Sequence, residues 1–157
     1  MNEKSKDTNG NGAQADQPQF ALQQIYLKDL SFEAPTTPAA FAQEQVEPEI
    51  KLNLKNSHTS VATDAYEIVL HVSVHAMVKE NTVFLVEIDQ AGLFFIKGYP
   101  ADELTKLIGT YCPTTLFPYV RETIASTIGK GGFPSILLQP INFDALYAQA
   151  SQERSDS

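Results

Sequence analysis

Few residues of this chain have the types and spacing that chemistry needs. His71 and His75 stand four apart, Cys112 is the sole cysteine, Glu87 and Asp89 form an i, i+2 acid pair, and Gly129-Lys130-Gly131-Gly132 is glycine-rich. Two imidazoles could share a metal ion, but the surrounding residues alternate apolar and polar as a strand does. At strand rise, residues four apart lie about 13 Å from each other. Zinc takes three or four ligands at about 2 Å, so the pair predicts two surface histidines and no metal site. Cys112 has no CxxC partner and no local motif of a cysteine nucleophile. It follows a helical turn and reads as a small packed side chain. The glycine run follows a helix instead of joining a strand to a helix, which makes it a C-cap and not a phosphate cradle. Glu87 and Asp89 sit where a strand faces water, without the burial that tunes a carboxyl for acid–base work. The expectation is a protein that is not an enzyme and needs no cofactor. A Cys112–histidine enzyme remains the rival reading.

Charge narrows the partners. The chain of 157 residues carries 11 Lys+Arg against 19 Asp+Glu, a net of −8. Residues 20–150 hold 8 of the bases and 14 of the acids, so the acidity belongs to the folded part. Nucleic acid and anionic membrane surfaces both call for clustered Lys and Arg, so neither is an expected partner. No apolar run reaches the 18 or so residues of a membrane helix. The polar start Met1-Asn2-Glu3-Lys4 predicts no secretory signal, and one lone cysteine fits a reducing cytosol.

The elements that must position these residues fall into two periods. Residues 1–19 and 151–157 are polar and predict disordered tails around one domain, 20–150. Phe20 to Phe32 predicts a first strand, ended by Pro35 and Pro38. Residues 34–48 follow as a structureless connection whose large apolar side chains are Phe41 and Val46; it is longer than closure requires, which predicts that it binds something. Glu49 to Lys55 alternates as a second strand. Ala65 to Lys79 is a third, with Tyr66, Ile68, Leu70, Val72, Val74, Ala76 and Val78 on one face. A reversal at Glu80-Asn81 leads to a fourth, Thr82 to Lys97, with Phe84, Val86 and Ile88 inward and Leu85, Glu87 and Asp89 outward. Gly92 predicts a bulge or bend.

Then the period becomes helical. Pro100-Ala101-Asp102-Glu103 starts a helix with the stripe Leu104, Leu107, Ile108, Tyr111, and Cys112-Pro113 ends it. A second helix starts near Thr114 or Thr115, takes Pro118 in its first turn, and carries Phe117, Val120, Ile124 and Ile128. The apolar stretch 133–138 follows, and Asn142 caps a last helix over 143–149. The fold class is α+β: a four-stranded antiparallel sheet with helices packed on one face and disordered polar termini. The other face is wet and acidic, carrying Asp29, Glu33, Glu67, Glu87 and Asp89 among Leu85, Val69, Lys51 and His75. It is either a charged surface for solubility or a docking plate for a basic partner, and an apolar Leu85 beside Glu87 favours docking.

Three phrases are more specific than any of this: 24-QIYLKDLSFEAP-35, 109-GTYCPTTLFPYVRE-122 and 140-PINFDAL-146. Together they resemble the SecB family of bacterial protein-export chaperones, from about Phe20 to Tyr147. The resemblance implies a cytoplasmic homotetramer, a dimer of dimers, that uses no ATP. It implies that the protein holds precursor proteins unfolded and delivers them to the motor SecA. Family SecA-docking residues correspond to Asp29, Glu33, Leu85 and Glu87. Family client grooves correspond to the 34–48 loop with Phe41 and Val46, and to the stretch with Phe133, Ile136 and Leu138. Many members carry a tryptophan near the position of Val46; this chain has none.

Overall fold

A computed structural model describes residues 17–42 and 46–157. The strands are β1 (Gln19–Glu33), β2 (Glu49–Ala62), β3 (Ala65–Val78) and β4 (Asn81–Lys97). The helices are α1 (Ala39–Ala42), α2 (Ala101–Gly109), α3 (Tyr111–Lys130) and α4 (Phe143–Ser155). The strands form one antiparallel sheet in the order β1-β4-β3-β2, which leaves β1 and β2 at the edges. The α+β architecture inferred from the change of period is therefore the observed one.

The core lies between the sheet and α3. Ile68, Leu70, Val72, Val74 and Ala76 of β3 are fully buried, as is Val86 of β4, with Phe84 and Ile88 nearly so. Against them α3 sets Leu116, Val120, Ile124 and Ile128, each with no exposed surface, and Phe117. Each of these side chains larger than alanine contributes about 1.5–3 kcal/mol by leaving water. This is why the strand alternation and the 117/120/124/128 stripe were both informative.

Several boundaries differ from the sequence reading. β2 runs on through Ala62, and its hairpin to β3 turns at Thr63-Asp64, where Asp64 takes φ 57°. The next reversal falls at Lys79-Glu80, one residue earlier than expected. Gly92 is not a bulge: β4 is in register with β3 on both sides of it, and the extra residues against β4 are Gln23 and Lys28 of β1. Gly92 is there for space, since a Cβ would come within 2.6 Å of the Phe94 ring and 2.9 Å of Leu116. The connection after β1 is not wholly structureless, because it contains α1.

α2 stops at Gly109 and α3 starts at Tyr111, so Cys112 and Pro113 sit in the first turn of α3 and do not end α2. The first turn has no intrahelical partner for its N–H groups, so proline costs little there. Pro118 lies well inside the helix, beyond the first turn. The glycine run is the cap it was read as: Gly132 has φ 86° and its N–H donates to the Gly129 carbonyl (3.1 Å), while the Phe133 N–H donates to Ile128 (3.3 Å). Asn142 caps α4 by accepting from the Ala145 N–H at 3.0 Å. α4 continues to Ser155, so most of the expected C-terminal tail is helical. The expected N-terminal tail lies, for residues 1–16, outside the described residues.

Candidate functional site

The strand register fixes what shares the helix-free face. One row across β1, β4, β3 and β2 reads Glu33, Leu85, His75, Lys51. The next reads Ser31, Glu87, Ser73, Asn53, and the third Asp29, Asp89, His71, Lys55. Asp29, Glu33, Leu85 and Glu87 are thus brought together on β1 and β4, within three consecutive rows of one face. Asp29, Glu33 and Glu87 are exposed and Leu85 is half-buried among them. The face is not uniformly acidic, however. Its acids crowd onto β1 and β4, whereas β3 and β2 supply His71, His75, Lys51 and Lys55 in the same rows.

Local hydrogen bonds hold this plate in shape. His71 Nδ1 lies 2.5 Å from Asp89 Oδ1, and His75 Nε2 lies 2.8 Å from Thr82 Oγ1. The two histidines therefore have separate partners, and no group of three or more metal-ligating side chains occurs among the described residues. In the rows beyond, Glu67 accepts from the Tyr26 hydroxyl and from Lys28 Nζ at 2.7 Å. The lysine and the phenol hold the Glu67 carboxyl below its usual range. Burial first, and then the carboxylate, push the Tyr26 phenol up to about 12. Tyr26 stands in β1 between the apolar Ile25 and Leu27. Its partner Ala91 puts it on the plate, because the extra residues Gln23 and Lys28 shift the alternation.

The second candidate surface lies at the end of the core where α3 stops. Phe133 sits between Phe41 and Phe84, with ring centroids 5.2 Å from each, and Phe84 stacks on Phe32 at 6.2 Å. Phe41 of the 34–48 connection and Phe133 of the 133–138 stretch are therefore in contact. Gly131 and Gly132 make this possible: a Cβ on Gly131 would come 2.2 Å from the Phe32 ring, and one on Gly132 would come 3.1 Å from Phe41. Phe41 is 54% exposed and Val46 60% exposed. Phe133 and Ile136 are half-buried. Leu138 departs from the group, because it is buried in the core. Arg121 holds that segment by donating from Nε to the Leu138 carbonyl at 2.9 Å. Its neighbour Leu137 is 68% exposed. The resemblance assigned Leu138 and not Leu137 to the groove; with no regular period over 133–138, nothing in the sequence marks which of two adjacent leucines points out.

Cys112 is fully buried, and burial pushes its thiol up to about 12. A thiol held neutral and away from solvent is a poor nucleophile. A charged plate on one side and an exposed apolar end on the other define a protein that works by binding other proteins.

Comparison with known proteins gives the same class a family. The family model described as Preprotein translocase subunit SecB matches residues 13–154. The Protein-export protein SecB of Nitrosococcus oceani is 50% identical over 145 residues, 92% of this chain and 88% of that protein. The protein of the same name from Marinobacter nauticus is 49% identical over 140 residues, 89% of this chain and 84% of its own. Among solved structures, a SecB-like chaperone of Mycobacterium tuberculosis, in complex with a peptide from an antitoxin, shares the fold with a TM-score of 0.64 at 17% identity. That match covers 78% of this chain and 91% of the other. The chain belongs to the SecB family of protein-export chaperones, which are not enzymes. No helix among the described residues is long and apolar enough to cross a membrane.

Proposed function

We propose that this protein is an ATP-independent holdase of the cytoplasm, which keeps precursor proteins unfolded and delivers them to SecA through the acidic half of its plate. The observation that carries the reading is the gathering of Asp29, Glu33, Leu85 and Glu87 in three adjacent rows, an apolar contact ringed by carboxylates. Such a surface recruits a basic partner quickly and reversibly. Clients occupy the apolar end with Phe41, Val46, Phe133 and Ile136, extended by Leu137. Contacts of this kind are undemanding in sequence, and several weak ones in one assembly add up through effective concentration.

The working unit is a homotetramer, a dimer of dimers, whose chaperone domain spans 20–150. Support comes from the helix-facing side of the edge strands, where Leu22, Leu27 and Leu30 of β1 and Ile50 and Leu52 of β2 are 37–48% exposed. These leave apolar surface that one chain does not cover. Tyr111, at 55% exposure, extends it.

Native mass spectrometry with and without a denatured precursor tests the reading. A species of about 70 kDa, four copies of 17.3 kDa, is the expected closed assembly. It should gain the mass of one precursor when mixed with it. Monomers only, or a tetramer that takes up no unfolded chain, would overturn the proposal.

A further inference from the structure

The same three rows that gather the acids on β1 and β4 end in cations on β2. Lys51 closes the row of Glu33 and Leu85, and Lys55 closes the row of Asp29 and Asp89. Both lysines are exposed. Neither makes an ion pair among the described residues, whereas Lys28 is tied to Glu67 and His71 to Asp89. Glu49, one step beyond Lys51, is the sole acid on the described part of β2. At the end of the third row lies an open depression of about 360 Å³, lined by Lys55 and Ser57 of β2, Val69 and His71 of β3, Asp89 of β4 and Lys28 of β1. Neighbouring strands are about 4.8 Å apart, so within a row β4 and β2 are separated by about 10 Å and β1 and β2 by about 14 Å.

We infer that the plate recognises its partner by a charge pair and not by negative charge alone: a cationic cluster of the partner sits over β1 and β4, and a carboxylate-bearing segment of the same partner, about 10–14 Å away, sits over Lys51 and Lys55. This rests on the docking role proposed above and adds the chemistry of the second contact. Two opposite contacts at a fixed separation give one allowed orientation, whereas an acidic patch alone would accept a basic surface turned any way. The free lysines are the informative part. Cations beside an acidic patch lower its attraction for a purely basic partner, and an anionic group on that partner turns the same lysines into a favourable contact.

The two accounts predict opposite signs for one experiment. Lys51→Glu with Lys55→Glu makes the protein more acidic on the plate, and the control Lys106→Glu with Lys130→Glu makes the same charge change on the helices α2 and α3 of the opposite face. Affinity of the intact assembly for SecA is measured for both at about 0.1 M salt, where charges more than about 10 Å apart are largely screened. Fold and assembly are checked by circular dichroism and native mass. The expected result is a Kd about tenfold weaker for the Lys51/Lys55 variant and unchanged or tighter for the control. A Lys51/Lys55 variant that binds as well as or better than the native protein overturns the inference. Glu87→Lys is measured alongside: if it too binds SecA normally, the docking role itself fails. If it alone loses affinity, the docking role stands and only the second contact is removed.

Discussion

Glu33 of β1 and Leu85 of β4 are cross-strand partners, so an exposed carboxylate stands directly against the half-buried apolar side chain at the plate's centre. Glu87 is two residues from Leu85 on the same face, and Val86 between them is fully buried on the other. One strand thus sets a residue of the proposed docking plate next to a residue of the core. Glu87→Lys should weaken SecA binding at least tenfold and leave thermal stability within about 0.5 kcal/mol, as surface changes do. Val86→Asp should cost about 3–5 kcal/mol or prevent assembly, because it buries a charge without a partner. Calorimetry of both variants decides. A crossed result, Glu87→Lys unfolding and Val86→Asp folding normally, would put the plate on the wrong side of the sheet.

Salt should separate the two surfaces. Exposed charges are screened beyond roughly 8 Å at 0.15 M salt, and apolar burial is little affected. Raising salt to about 0.5 M should weaken SecA binding severalfold while suppression of client aggregation changes less than twofold. Equal losses in the two assays would mean that clients also bind by charge.

What the sequence revealed, and what it hid, follows from which residues carry a periodic signal. In β3 and β4 one face is continuously apolar, so the alternation placed Val86 and Glu87 on opposite sides with no further information. The second half of β2, Asn56 to Ala62, faces the helix side with Asn56, His58 and Ser60, so no alternation marks it as strand. It is held instead by pairing with β3 and by the Asn56 amide, which donates to the Ile108 carbonyl at the end of α2 at 3.1 Å. Pro113 misled because proline is a stop signal inside a helix and a start signal in its first turn. The far half of α4, 150-ASQERS-155, lacks an apolar stripe and so reads as tail. The acidic residues of the plate were legible one by one. The cationic half was not, because setting Lys51 and Lys55 in rows with Leu85 and Asp89 needs the strand order, which alternation does not give.

Gly92 is fixed by the ring of Phe94 and by Leu116, both completely buried. Gly92→Ala should destabilise the protein by about 1–3 kcal/mol, the usual cost of overpacking, although alanine is otherwise the better residue for chain entropy. Urea unfolding measures it. A neutral or stabilised variant would mean that the sheet and α3 separate more easily than their packing indicates.

Cys112 should behave as a packing residue and nothing more. With its thiol fully buried and pushed up to about 12, a thiol reagent at neutral pH should label it only as fast as the protein opens. Cys112→Ala should keep client holding and cost about 1–2 kcal/mol of stability. Labelling within seconds in the native state, or loss of holding in a folded Cys112→Ala assembly, would restore the enzyme reading.

The Tyr26, Lys28 and Glu67 cluster should shape the pH dependence of stability at both ends. Glu67 is held below its ordinary 4.5 by the Lys28 ammonium and the Tyr26 hydroxyl, so the folded chain keeps this group ionised at pH values where the unfolded chain has protonated it. Its contribution is complete above 4.5 and is lost as pH falls through the lower folded value. Tyr26 works in the other direction. Burial and the neighbouring carboxylate raise the phenol from 10.0 to about 12, so its contribution is complete below 10 and is lost as pH climbs towards 12. Glu67→Gln keeps a hydrogen-bonding side chain but removes the acid. Its stability should therefore fall less steeply than the native protein's below pH 4.5. Tyr26→Phe should flatten the alkaline limb between pH 10 and 12 and leave the acid limb shallower as well, since Glu67 loses one of its donors. Urea midpoints across pH give both slopes. Native and Glu67→Gln curves that run parallel through the acid limb would mean that water, and not Lys28 and Tyr26, holds that carboxylate in solution.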